Sequence, residues 1–188
     1  NFNRFGIFPK ELSGLIGVVL APFIHSDLSH IINNTLTFFV LMLALRFFYP
    51  RNYLKVFGLG LLFSGLLTWI FARPAYHIGM SGVIYMLAGF IFTKSFFSKN
   101  YHLIALSLTV VFLYGSMIWY VFPIDRSISW EGHLAGLITG VGLNFFFRNE
   151  LKYEKVKVFS QDQELFLQHF NDDGHFVDNL PFLDENGN

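Results

Sequence analysis

Two polar residues in apolar surroundings could together carry out covalent catalysis. Ser81 lies in the short segment Gly79–Gly82, and His133 lies at the start of the apolar run Gly132–Phe147. A serine hydroxyl is a poor nucleophile until a nearby base accepts its proton, and a neutral imidazole is the usual base. The chain contains no cysteine, so a thiol nucleophile and thiolate metal ligands are excluded. If the fold brings the two side chains together, they could hydrolyse a substrate by acyl transfer.

Each of these residues also has an ordinary structural explanation. A serine in a membrane helix often donates to the carbonyl four residues back, and a histidine at a helix entrance is often an interfacial polar residue. Tyr85 lies four residues after Ser81, one turn deeper on the same helical face. Its ring could support the imidazole or simply fill the core. The residue types alone leave these alternatives open.

Glycines on both predicted helices would allow the serine and the histidine to meet. Gly136 and Gly140 form a small-residue stripe beyond the histidine, and Gly82 and Gly89 lie on one side of the serine helix. Small residues let two membrane helices pack backbone to backbone. The pattern therefore predicts that the two helices lie side by side, and it would serve packing whether or not the site is catalytic.

A second polar pair could stabilise the charge that develops during acyl transfer. His30 and Asn34 are four residues apart and so share one helical face. Their N–H groups, with the backbone N–H of Ser81, could donate to the oxyanion of a tetrahedral intermediate. The same two residues could instead cap a helix and hydrate its entrance. The spacing is compatible with both interpretations.

The elements that must position these residues are predicted to be membrane helices. Of the 188 residues, 53% are hydrophobic and only 14% are charged, which is unusually apolar for a soluble domain. A helix that crosses the bilayer needs roughly 20 apolar residues. The segment Leu12–Ser26 is short and is broken by glycine and proline, so we predict a loop packed at the membrane surface. The sequence predicts an all-α transmembrane bundle with five spans: Leu28–Leu45, Val56–Ala72, Pro74–Thr93, Asn100–Ile124 and Gly132–Phe147.

Basic residues are distributed unevenly between the two ends of these spans. Nine lie on one side and four on the other, and the positive-inside rule assigns the nine to the cytoplasm. The N-terminal end and all four polar candidates then face outward. The net charge of zero excludes a general attraction to nucleic acid. The nine are Arg46, Arg51, Lys55, Lys94, Lys99, Arg148, Lys152, Lys155 and Lys157, and the four are Arg4, Lys10, Arg73 and Arg126.

Composition divides the chain into three predicted regions. Residues 1–29 form an external and membrane-embedded loop, residues 30–148 form the transmembrane core, and residues 149–188 form a polar tail that we expect in the cytoplasm. Within the tail, Val156–Phe170 favours a loosely ordered stretch over an amphipathic helix. The histidines lack acidic or cysteine companions at ligand spacing, so neither a metal nor another cofactor is expected.

Three motifs occur in order along the chain. They are His25-Ser26-Asp27-Leu28-Ser29-His30-Ile31-Ile32-Asn33-Asn34, then Gly79-Met80-Ser81-Gly82 with Tyr85, then Gly132-His133-Leu134-Ala135-Gly136 with Gly140. Their order, spacing and predicted topology resemble those of the rhomboid family of intramembrane serine proteases. The similarity extends from about Phe8 to Phe147.

The resemblance implies a role for each matching residue. Ser81 would be the nucleophile and His133 the general base, while His30 and Asn34 would stabilise the oxyanion. Tyr85 would pack against the catalytic histidine. His25 would have a structural or hydrating role, and the motif glycines would support the site: Gly79, Gly82, Gly136 and Gly140.

The resemblance also implies an architecture and a substrate class. We expect a six-helix core whose first helix precedes Asn1, in a multi-pass protein of the bacterial inner membrane that cleaves transmembrane segments of other proteins near the outer face of the bilayer. The loop Pro123–Trp130, with the helix before it, would be a moving gate. Asp125 and Glu131 are expected in surface loops without a catalytic role. Members of the family often carry a Glu-x-x-x-Gly pattern at the cytoplasmic end of the first helix seen here, where this chain has Arg46. This difference affects local helix packing on the side of the membrane opposite the predicted active site. The sequence does not indicate an oligomeric state.

Other functions fit the sequence less well. The main alternative is an inactive rhomboid-like protein that binds membrane clients, but such a protein has no chemical need for all four polar residues. A transporter would be expected to carry charged groups near mid-bilayer or broken helices in paired halves. A zinc protease of the common type would carry His-Glu-x-x-His, which is absent from this sequence.

Overall fold

Helices are the main regular secondary structure in the described part of the chain, which also contains two isolated β-bridges. A computed structural model describes residues 2–98, 101–114, 119–125, 127–147, 166–171 and 173–177. The chain divides into two compact units, Asn1–Leu151 and Lys152–Asn188. The α-helices of the first unit are α1 (Gly17–Leu20), α2 (Leu28–Phe48), α3 (Tyr53–Phe71), α4 (Ser81–Ser98), α5 (Tyr101–Tyr114) and α6 (Trp130–Phe146).

The boundaries of α2 and α3 follow from local residue chemistry. Asp27 caps α2, because its carboxylate accepts the backbone N–H of His30 at 2.8 Å. Pro50 lies two residues beyond the end of α2, where a helix cannot readily continue. Pro74 similarly follows the end of α3. These two helices lie within about three residues of the predicted spans Leu28–Leu45 and Val56–Ala72.

The predicted start of the third span at Pro74 was wrong. Residues 72–80 form a loop, which we call the serine loop, and α4 begins only at Ser81. The backbone of His77 pairs with that of Ile7 through two hydrogen bonds of 2.9 Å. Gly79 has a φ of +104°, a conformation that interrupts a right-handed helix. Apolar composition cannot distinguish such a packed loop from a helix, because both bury apolar side chains.

The predicted surface loop Leu12–Ser26 is largely helical. It consists of a 3-10 helix at Leu12–Ile16, then α1, then a second 3-10 helix at Ala21–Phe23. Its glycines sit where backbones approach closely, since a Cβ atom on Gly17 would lie 2.2 Å from the backbone of Ile7. Glycine here therefore serves close packing rather than chain breaking.

The prediction that Lys94 lies in a cytoplasmic connection between two spans was wrong. Lys94 lies within α4 and is buried, and its ammonium donates to the backbone carbonyls of Asn144, at 2.8 Å, and of Phe147. These carbonyls belong to the C-terminal end of α6, where a helix leaves acceptors unsatisfied. One buried cation thus ties α4 to the end of α6.

The remaining span predictions differ mainly at their ends. The predicted span Asn100–Ile124 corresponds to α5, which is described as far as Tyr114, and residues 119–121 form a separate 3-10 turn. Residues 115–118 lie outside the described part. The predicted span Gly132–Phe147 corresponds to α6, which starts two residues earlier.

The central helix of the bundle is α4, which packs against α2, α3, α5 and α6. Its buried residues join those of α2 in one apolar core that includes Leu41, Leu45, Leu87 and Phe90. On its outer side, α2 exposes an apolar stripe at helical spacing, and every member is more than half exposed: Ile32, Leu36, Phe39, Leu43 and Phe47. Both α2 and α3 are long and apolar enough to cross a membrane. Such a stripe is expected of a helix that faces lipid.

The second unit is described only at residues 166–171 and 173–177, which form a tight turn. Phe170 and Phe176 form an antiparallel bridge, and the Asn171 side chain accepts the backbone N–H groups of Asp173 and His175. Most of the segment Val156–Phe170, predicted to be loosely ordered, lies outside the described residues.

Candidate active site

Ser81 and His133 are in direct hydrogen-bond contact. Ser81 is the first residue of α4, and its Oγ lies 2.8 Å from Nε2 of His133 in the first turn of α6. The other ring nitrogen, Nδ1, lies 2.9 Å from the backbone carbonyl oxygen of Tyr120. A carbonyl oxygen can only accept, so Nδ1 carries the hydrogen of the neutral ring and Nε2 is left as an acceptor. The geometry is that of a serine poised to give its proton to a base.

Close packing of α4 and α6 brings this pair together. A Cβ atom on Gly136 would lie 2.0 Å from the carbonyl oxygen of Gly82, and one on Gly140 would lie 2.1 Å from that of Met86. A Cβ atom on Gly89 would lie 3.0 Å from the Leu137 side chain. The two helices therefore pack backbone to backbone, as the glycine pattern predicts.

Tyr85 supports the imidazole from one side. Its ring stacks on that of His133 with 4.3 Å between centroids and 17° between planes. Together with the Tyr120 carbonyl, this contact restricts both the rotation and the tautomer of the histidine.

His30 and Asn34 flank the loop residue Gly79, two positions before the serine. A Cβ atom on Gly79 would lie 3.2 Å from the His30 ring and 3.8 Å from Nδ2 of Asn34. Asn34 is only 7% exposed, and its Nδ2 has no hydrogen-bond partner among the described residues. A buried donor without a partner is rare, because leaving it unsatisfied costs free energy. Asn34 thus offers an unused N–H donor beside the serine loop.

A short hydrogen-bonded chain precedes His30. The hydroxyl of Ser26 lies 2.7 Å from the Asp27 carboxylate and 3.2 Å from Nδ1 of His30. Hydrogen bonds from Ser26 and from the His30 backbone hold the pKa of Asp27 below its ordinary value. The Ser26 proton can go to only one of the two acceptors. When it goes to His30, the imidazole donates through Nε2 on the side of the serine loop.

His25 lies beside His30 and does not contact the serine. The two rings meet edge to face with 5.0 Å between centroids. Burial and the neighbouring His30 lower the pKa of His25 below its ordinary value. The ring of His25 thus packs against that of His30, which is a candidate oxyanion donor.

A cavity of about 760 Å³ connects these groups. Ser81, His133, His30 and Asn34 all contribute to its walls, together with residues of the serine loop and of the segment before α6. Sites of this size, with a few convergent polar groups, are typical of ligand or substrate binding.

Two features of the site were not predicted from the sequence. The first is the Tyr120 carbonyl. The second is Glu131, predicted in a surface loop, which instead is 3% exposed in the first turn of α6 and lies 3.6 Å from the Arg73 guanidinium. A lone carboxylate and a lone guanidinium at the same end of two apolar helices could have indicated this ion pair, because buried charges are normally paired.

Comparison with known proteins agrees with the architecture. Residues 12–150 match the Rhomboid domain family. Uncharacterised proteins of Mycobacterium tuberculosis and Mycobacterium bovis are each 30% identical over 145 residues, which is 72% of this chain and 60% of theirs. One from Mycobacterium leprae is 29% identical over 145 residues and is covered over 57% of its length. This chain thus spans less than two thirds of these relatives. Because the family match covers most of the sequence, the chain belongs to the rhomboid family of helical integral membrane proteins.

Proposed function

We propose that the protein is an intramembrane serine endopeptidase that cleaves transmembrane segments of other membrane proteins. The observation that carries this proposal is the 2.8 Å contact between Ser81 Oγ and His133 Nε2, with Nδ1 occupied by the Tyr120 carbonyl. A protein that only binds clients gains nothing from fixing the tautomer of a histidine beside a serine. A nucleophile and its base require this arrangement.

In the first half of the reaction, Ser81 attacks the carbonyl carbon of the scissile peptide bond. His133 accepts the hydroxyl proton at Nε2, and the carbonyl oxygen becomes an oxyanion. The free Nδ2–H of Asn34 and the backbone N–H of Ser81 donate to that oxygen, joined by His30 in the tautomer that donates through Nε2. The C–N bond then breaks, and the imidazolium returns its proton to the leaving amine.

In the second half, water replaces the amine. His133 takes a proton from the water as it attacks the acyl-enzyme, and the same donors hold the second oxyanion. Collapse of this intermediate returns the proton to Ser81 Oγ and releases a fragment that ends in a carboxylate. The dyad needs no acidic third member, because the Tyr120 carbonyl orients the base, and no step requires a cofactor.

The proposal includes a setting in the membrane. The uneven distribution of basic residues supports a site that opens toward the outside and a tail in the cytoplasm, as in a bacterial inner-membrane protein. A substrate helix would enter from the bilayer and unwind, because only an extended backbone exposes its carbonyl carbons to Ser81. The Pro123–Trp130 segment, beside the cavity, would move to admit it.

Cleavage of a model transmembrane substrate in liposomes tests the proposal. Wild type, Ser81→Ala and His133→Ala would be compared, together with labelling by a fluorophosphonate probe. We expect cleavage and labelling by the wild type only, with losses of about 10³-fold or more in each variant. If Ser81→Ala cleaves as fast as the wild type, the proposal is wrong. Binding of the substrate without cleavage by any form would instead favour the client-binding alternative.

A further inference from the structure

His77 is a buried histidine outside the serine–histidine pair, and it joins two loops. It is 4% exposed within the serine loop. Its Nε2 lies 3.0 Å from the backbone carbonyl oxygen of Arg73, and its Nδ1 lies 2.5 Å from Oγ of Ser129. The carbonyl can only accept, so Nε2 carries the hydrogen of the neutral ring. Nδ1 must then accept a hydrogen bond from the Ser129 hydroxyl.

Ser129 is placed to cap α6, but its hydroxyl is used elsewhere. It is the N-cap residue, where a serine oxygen normally accepts a backbone N–H from the first turn. Here the side chain makes no cap hydrogen bond and contacts His77 instead. The backbone carbonyl of Ser129 meanwhile accepts the N–H of His133 at 3.2 Å. One residue therefore contacts the serine loop through its side chain and the base through its backbone.

An ion pair makes a parallel connection between the same two segments. One nitrogen of the Arg73 guanidinium lies 3.6 Å from the Glu131 carboxylate, and the other donates to the backbone carbonyl of Ile128 at 2.9 Å. Arg73 is the second residue of the serine loop and lies four residues before His77. Glu131 lies two residues before His133. The serine loop is thus fixed to the start of α6 at two points.

The electrostatic surroundings keep His77 in its neutral form. Burial lowers the pKa of His77, and the nearby Arg73 acts in the same direction, while the Arg73 carbonyl and the Glu131 carboxylate oppose them. A neutral ring is the form that can accept from Ser129. The hydrogen bond is therefore available at neutral pH.

We propose that His77 and Ser129 are positioning residues that set the distance between Ser81 Oγ and His133 Nε2. His77 lies four residues before Ser81, and Ser129 lies four residues before His133, so their hydrogen bond ties together the two segments that lead into the reacting groups. The inference rests on the proposed protease function. A displacement of about 1 Å between reacting groups costs on the order of 100-fold in rate.

The rate of Ser81 labelling by a fluorophosphonate tests this inference in the full-length protein. The maximal rate constant and the half-saturating probe concentration would be measured separately for His77→Leu, Ser129→Ala and the double variant. His77→Asn tests rescue, because an asparagine oxygen can take the position of Nδ1. Ser107→Ala is the control, since that buried hydroxyl donates only to the Leu103 carbonyl within its own helix.

We expect each of the two single variants to lower the maximal rate constant about 10-fold or more, with little change in the half-saturating concentration. The double variant should be no slower than the slower single variant, because both remove the same contact. His77→Asn should recover much of the rate, and Ser107→Ala should match the wild type. Normal labelling rates in His77→Leu and Ser129→Ala would overturn the inference while leaving the protease proposal intact. Absence of Ser81 labelling in the wild type would overturn both.

Discussion

The orientation of His133 comes from two neighbours, and neither of them is a carboxylate. The Tyr120 carbonyl holds Nδ1, and the Tyr85 ring covers one face. Burying an ionised carboxylate away from water costs several kcal/mol unless it is well paired. A backbone carbonyl orients the ring without that cost, which suits the proposed base at the entrance of a membrane helix. Glu131, the one buried carboxylate near His133 among the described residues, has Arg73 as its partner.

Asn34 allows a residue-level test that separates catalysis from stability. Removing its amide in Asn34→Ala should lower kcat by about 10²-fold to 10³-fold, because the proposed oxyanion donor is lost. The temperature of unfolding should stay the same or rise, because the Nδ2–H that is removed has no partner among the residues that the structure describes. Substrate cleavage and thermal unfolding in detergent would be measured on the same preparations.

The neighbouring residue supplies the control for this test. Thr35→Ala removes a polar side chain from an exposed position one residue later, outside the cavity lining, and should leave kcat within a few-fold of the wild type. Equal losses of kcat in the two variants, or a large drop in the unfolding temperature of Asn34→Ala, would argue against an oxyanion role.

At the scale of elements, the packing of α4 against α6 fixes the site. Replacing Gly140 by alanine would force a Cβ atom to within 2.1 Å of the Met86 carbonyl oxygen, so the helices must separate. Gly140→Ala should therefore lower stability by about 1–3 kcal/mol and reduce cleavage. Unfolding in detergent and substrate cleavage would both be followed.

Gly142 provides a matched control on the same helix. A Cβ atom there would meet nothing within 4 Å. Gly142→Ala should be neutral or slightly stabilising, because alanine favours a helix more than glycine does. If the two alanine variants behave alike, close backbone contact is not what positions the dyad.

The elements that sequence could predict are those whose determinants are local. Asp27 and Pro50 bound α2, and the spacing of Gly136 and Gly140 marks one face of α6 as suited to close packing, because each of these effects depends on nearby residues alone. The start of α4 was misplaced because the serine loop is held by Ile7 and Ser129, which are far away in sequence. The carbonyl partner of His133 could not be predicted, because every residue carries a backbone carbonyl and the sequence does not indicate which one lies beside the ring.

At the scale of the whole molecule, the membrane provides the solvent for the apolar stripe of α2 and sets which end of the bundle faces outward. The chain contains no cysteine, so single cysteines can report this orientation. The Ser127→Cys variant places a cysteine in the exposed segment before α6. The Lys55→Cys variant places one near the start of α3, at the opposite end of the helix bundle. In intact bacterial cells, a membrane-impermeant maleimide should label the first variant and not the second.

Permeabilised cells provide the control for the orientation experiment. Both variants should then be labelled, which shows that each cysteine is accessible once the reagent can cross the membrane. Labelling of Lys55→Cys alone in intact cells would reverse the orientation and would place the site at the cytoplasmic face.

The length of α6 provides a measure of depth. The proposed orientation places the C-terminal end of α6, which Lys94 contacts, at the cytoplasmic boundary of the membrane. His133 lies 14 residues before Phe147, or about 21 Å along a helix that rises 1.5 Å per residue. In a hydrocarbon layer about 30 Å thick, the dyad would then lie on the order of 10 Å below the opposite boundary. In the proposed reaction, each hydrolytic water molecule must descend that far, so the rate of the second half-reaction should depend on how well the polar walls of the cavity conduct water.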